Sequence, residues 1–79
     1  MNDTMTFAKR AARVTALNLR DAVAKRERYL ARVEALRQDE WQGAHVARLL
    51  TAIGQLDAQI EDLKRANEVY QRRANHVSQ

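Results

Sequence analysis

The chain has no cysteine, no proline, two glycines and only four aromatic side chains in 79 residues. Without cysteine it holds neither a disulfide staple nor a thiolate metal site. No stretch approaches the roughly 18 apolar residues that a membrane-spanning helix needs. The first residues, MNDTMTFAKRAARV, lack the apolar core of a signal peptide. They are mildly arginine-rich, as a transit peptide is, but they run into a helical pattern without a break. These absences lead to the expectation of a small cytoplasmic protein of one domain, with no membrane insertion.

Reactive groupings are missing as well. His45 and His76 lie near opposite ends of the second half and cannot share a ligand within one chain. The acidic pairs Asp39–Glu40 and Glu61–Asp62 suit helix caps or a solvated surface. There is no glycine loop to cradle phosphate, no nucleophile beside a base and no acidic loop with calcium spacing. The sequence predicts no enzyme, no cofactor and no metal.

What the chain does have is an apolar beat. Val46, Leu49, Ile53, Leu56, Ile60, Leu63, Asn67, Tyr70, Ala74 and Val77 follow one another in steps of three and four. That spacing is a coiled-coil seam. The first half repeats it through Ala8, Ala12, Thr15, Leu19, Ala22, Arg26, Tyr29, Val33 and Leu36. Phe7, Val14, Val23 and Leu30 flank that line and widen the apolar arc, which suits a bundle better than an isolated two-stranded coil. We therefore expect an all-α antiparallel hairpin. Helix 1 spans about 4–38, a turn about 39–43 and helix 2 about 44–75. Asp3, Thr4 or Thr6 can cap helix 1. The turn has two readings. Asp39 with Gln42 forms a capping box that starts helix 2 near Glu40, or Gly43 is a left-handed residue that ends helix 1.

A short connection makes the helices antiparallel neighbours. Reversing the chain at Trp41 pairs positions whose numbers sum to about 82. Val33 then meets Leu49, Tyr29 meets Ile53, Ala22 faces Ile60 and Leu19 faces Leu63. Small residues oppose large ones, as a packed seam requires. Asn67 meets Thr15, and a hydrogen bond between them would satisfy the amide and fix the register. Arg26 opposes Leu56, with two readings: its head reaches solvent past the seam, or it pairs with a carboxylate of a second protomer.

Two helices bury one stripe each, a marginal core, so association is expected, with a homodimeric four-helix bundle as the simplest product. The expected dimer interface uses Leu17 and Ala24 on helix 1 and Ala47, Thr51, Gly54 and Ala58 on helix 2. Gly54 costs about 1 kcal/mol against alanine inside a helix, and a close helix approach would offset that. These alanines also suit a plain solvated helix face.

Residues 1–38 hold nine basic and four acidic side chains, a net +5, while residues 39–79 sum to −1. Acidic partners should meet the first half. Candidate partner contacts are Trp41, Tyr29 and Tyr70, with Arg10, Arg13, Arg20, Arg28 and Arg32, since Trp, Tyr and Arg commonly anchor interfaces. Trp41 either binds a partner or closes the bundle end over Leu36 and Val46. The same arginines offer a second class of function, nucleic-acid binding along helix 1, interrupted by Asp21, Glu27 and Glu34. A third class is a purely structural or assembly role.

The length, the short turn and the paired heptads resemble a small plasmid copy-number regulator, a dimeric four-helix bundle that binds paired RNA. The Ala/Arg-rich run FAKRAARVTALNLRDAVAKRERYLARVEALR and the hairpin layout resemble small helical-hairpin proteins of Pseudomonas temperate phages. Those are quorum-sensing anti-activators and pilus-motor inhibitors. The resemblance implies a dimer that blocks a host regulator or motor protein by stoichiometric binding, and it carries no residue roles. That reading ranks first, because Trp41, Tyr29 and Tyr70 suit protein contacts better than phosphate tracking.

Overall fold

The computed structural model describes residues 3–37, 39, 41 and 43–77, with the backbone alone for 3–6, 76 and 77. It is an all-α hairpin of α1 (Asp3–Ala35) and α2 (Ala44–Val77), about 60 Å long and 15 Å in each other direction. Helices of 33 and 34 residues rise roughly 1.5 Å per residue, so each runs nearly the full length.

The seam folds as its spacing dictates. Val33, Val46, Leu49 and Ile53 form one buried cluster, with Tyr29, Leu30 and Leu36 packed against it. Ala22, Leu56 and Ile60 form a second, flanked by Leu19, Tyr29 and Leu63. Ala8, Ala12, Thr15 and Ala74 continue the buried line toward the chain ends. Of the large aliphatic side chains in this line, α2 supplies most and α1 mainly Val33, the small-against-large complement expected from the register.

Four details depart from expectation. First, α1 stops at Ala35, short of the expected Gln38, with the Leu36 N–H donating to the Val33 carbonyl at 3.1 Å. This tighter i−3 bond takes up one of the carbonyls that every helix end leaves without an intrahelical partner. Second, Gly43 begins α2 instead of ending α1: its carbonyl accepts from the Ala47 N–H at 3.3 Å, the first helical bond. That is the role of an N-cap, where glycine is tolerated. The Asp39–Gln42 box involves Gln42, which lies outside the described residues, as do Gln38 and Glu40. The caps proposed at Asp3, Thr4 and Thr6 involve side chains that are likewise outside them.

Third, no hydrogen bond joins Thr15 to Asn67. The Thr15 hydroxyl donates to the Ala11 carbonyl one turn back, at 2.6 Å. The Asn67 carbonyl oxygen accepts from Gln71 Nε2 at 3.4 Å. Each group is satisfied along its own helix, and no buried side-chain nitrogen or oxygen among the described residues lacks a partner. Fourth, Arg26 neither dangles in solvent nor waits for a second protomer. Its Nε donates to Asp57 Oδ1 on α2 of the same chain.

Candidate interaction surfaces

The hairpin has two flanks, and side-chain contacts identify each. The Arg26–Asp57 pair marks the first. Leu50 lies one heptad before Asp57, and Val23 and Leu30 lie one turn to either side of Arg26, so all three share this flank. Leu30 is half-buried on the core, while Leu50 and Val23 are exposed. On the second flank a groove of about 240 Å³ runs between the helices, lined by Asn18, Asp21, Ala22, Lys25, Leu56, Gln59 and Leu63. Its middle is polar.

Stepping by heptads from that groove toward the chain ends changes its character. Asp21 is replaced by Val14 and then Phe7, Asn18 by Ala11, and Gln59 by Ala66. Val69 follows Ala66 by three residues, and Tyr70 follows Leu63 by seven. Phe7 is 63% exposed, Val14 48% and Val69 44%. Leu17, one turn from Val14 on the outer side, is 49% exposed. Arg10 lies within one or two turns of Phe7, Val14 and Leu17 on the same helix, and Arg72 and Arg73 follow Val69; all three arginines are exposed. Scattered apolar exposure is ordinary, and here heptad spacing sets Phe7, Val14 and Val69 on the same flank.

Charge sorts by end of the hairpin. Residues 21–61, the turn half, hold six basic and seven acidic side chains. The remaining residues, the open half, hold eight basic and three acidic. The net +4 is thus +5 at the open end against −1 toward the turn. Two ion pairs, Lys64–Glu61 at 3.7 Å and Arg65–Asp62 at 3.9 Å, lie near the boundary and are well exposed. Such pairs contribute roughly 0–1 kcal/mol each.

Of the expected partner residues, Arg32 and Tyr29 are brought together, while Trp41 and Tyr70 lie toward opposite ends of the hairpin. Trp41 sits at the turn, 46% exposed, with its indole N–H reaching the Leu36 carbonyl at 3.4 Å. That bond ties the turn to the end of α1, while Trp41 joins neither core cluster. Tyr29 is half-buried against both core clusters. Lys25 Nζ stands 5.9 Å and the Arg32 guanidinium 5.7 Å from its ring centre, cation–π distances that clamp the ring. Tyr70 is half-buried on the α2 seam of the open half. Arg10, Arg13, Arg20, Arg28 and Arg32 are all exposed along α1.

The expected dimer residues Leu17, Ala24, Ala47, Thr51, Gly54 and Ala58 are all exposed. Thr51 Oγ1 bonds back to the Ala47 carbonyl at 2.9 Å. A Cβ added at Gly54 would meet nothing within 4 Å, so the hairpin itself has no need of glycine there. The line of small residues on α2 leaves a shallow depression of about 260 Å³ between Arg48 and Gln55.

Among the described residues no helix is long and apolar enough to cross a membrane, and no group of three or more ligating side chains is placed to hold a metal. The open-half patch was missed in the sequence because Val69 is off the seam and reads as solvated until the helices are paired. No family model, curated protein or solved structure matches this chain.

Proposed function

We propose that the chain is a non-enzymatic protein-binding module. In this reading it self-associates as a homodimer and acts by stoichiometric binding, inhibiting a host regulator or motor protein as the phage hairpins it resembles do. One observation supports the self-association in this reading. The lone hairpin exposes 6267 Å², whereas a compact monomer of 9.1 kDa exposes about 4,900 Å². The excess of about 1,400 Å² exceeds the roughly 800 Å² that each partner contributes to a standard interface. A second copy fits best on the near-neutral turn half, over Leu50, Val23 and Leu30, where like charges do not oppose association. Ala47 and Gly54 adjoin this flank and would allow close approach.

Nucleic-acid binding is the second reading, favoured by the exposed Arg10, Arg13 and Arg20 in the electropositive open half. Phe7, Val14 and Leu17 stand among these arginines, and phosphate tracking has no use for them. Sedimentation at micromolar concentration should show a dimer. Affinity capture from a bacterial lysate should recover a protein in stoichiometric amount. A monomer that recovers nucleic acid alone overturns the reading.

A further inference from the structure

The open half combines three features found together nowhere else on the described surface. Its fully buried seam positions are small side chains, Ala8, Ala12, Thr15 and Ala74, with Asn67 and Tyr70 half-buried on the same seam. Three of its large apolar groups, Phe7, Val14 and Val69, are exposed, and heptad spacing sets them on a single flank spanning both helices. Its field is strongly positive, with a net +5.

We propose that this flank docks an acidic amphipathic helix of another protein. The proposal rests on the protein-binding reading and goes past it by assigning the face and the chemistry of the partner. Phe7, Val14 and Val69 would receive an apolar stripe, while Arg10, Arg72 and Arg73 meet carboxylates on its edges. Two helices side by side leave a groove of the kind a third helix can fill, and such a groove runs open past Leu56 and Leu63. There is no strand edge among the described residues to recruit an extended peptide. A second copy docked open half to open half is the wrong occupant: it would bring +5 against +5. Self-association and partner binding thus fall at opposite ends of the molecule.

The test is fluorescence anisotropy with the full chain and a labelled synthetic helix bearing leucines at i, i+3 and i+7 and glutamates on both edges. A copy with every glutamate changed to lysine is the control. The glutamate helix should bind at least about tenfold tighter at low salt, with the difference narrowing as salt is added. Phe7→Asp and Val69→Asp should each weaken binding about tenfold while helicity and melting hold, since both side chains face solvent. Reversing Arg10 and Arg73 to glutamate together should turn the preference toward the lysine helix. Equal affinity for the two helices, or full binding by Phe7→Asp, would overturn the proposal. So would tighter binding of duplex RNA or of phosphatidylserine-containing vesicles than of the glutamate helix. A chain that ignores both helices yet sediments as a dimer loses this inference alone. One that stays monomeric and binds only RNA loses the protein-binding reading with it.

Discussion

Between Leu19 and Leu63 the helices meet through Val33, Leu49, Ile53, Leu56 and Ile60, with Tyr29 bridging the two buried clusters. Beyond them, toward the chain ends, the buried seam positions are Ala8, Ala12, Thr15 and Ala74, with Asn67 and Tyr70 half-buried, while Phe7, Val14, Leu17 and Val69 stand outside. The turn half is near neutral and the open half carries the net positive charge. One heptad rule therefore serves two purposes. Large aliphatics on the seam hold the hairpin shut near its turn. Further out the fully buried positions are small, and the large apolar side chains Phe7, Val14, Leu17 and Val69 are left exposed.

The sharpest way to break this comparison is to truncate one side chain in each half. Ile53→Ala should cost about 3 kcal/mol in urea unfolding, because a buried aliphatic is lost and a cavity left. Phe7→Ala should change stability by less than about 0.5 kcal/mol. Comparable losses would mean that the open half contributes to the core as the turn half does. Next in size, Gly54→Ala should stabilise the dilute chain by about 0.5–1 kcal/mol, since the added methyl meets open space and glycine is the poorer helix former. A loss instead would place a neighbouring molecule against Gly54.

Smaller still is the Arg26–Asp57 link between helices. Its partners are 36% and 52% exposed, so a double-mutant cycle with alanine should give a coupling of about 0.5 kcal/mol that fades with salt. The smallest effect belongs to the tip. Trp41→Phe keeps a ring but removes the N–H that reaches Leu36 at 3.4 Å. The bond is long and half in solvent, so the melting free energy should fall by less than about 0.5 kcal/mol.

The hairpin and its register were legible because heptad spacing acts on every turn of both helices. Val33 and Leu49, and Tyr29 and Ile53, fall in one cluster as the pairing about Trp41 requires. The same register brings Asp57 beside Arg26, although the sequence offered several carboxylates and gave no reason to choose one. The Thr15–Asn67 bond failed for a local reason. A helical threonine always has the carbonyl four residues back within reach, and using it orders nothing across the interface. The end of α1 was illegible because Leu36 and Arg37 are good helix formers and propensity alone would carry on. There the chain must reverse, and Leu36 packs on the core while its carbonyl meets Trp41.

The open-half surface was half legible. Phe7 and Val14 read as flanking the seam and Arg10 and Tyr70 as contacts, but nothing joined them. The missing step is to count charge and apolar exposure by end of the hairpin instead of by half of the chain. Pairing residues 3–20 with 62–77 turns two unremarkable helix faces into one basic, apolar flank.

Amide hydrogen exchange of the intact chain tests the contrast most directly, because it reads the opening of each turn of helix separately. Amides from Leu49 to Ile60 should exchange only through global unfolding. Those from Ala8 to Leu17 and from Val69 to Ala74 should exchange faster, through local opening, and slow when the glutamate helix is added. Uniform protection along both helices, unchanged by that peptide, would contradict the account.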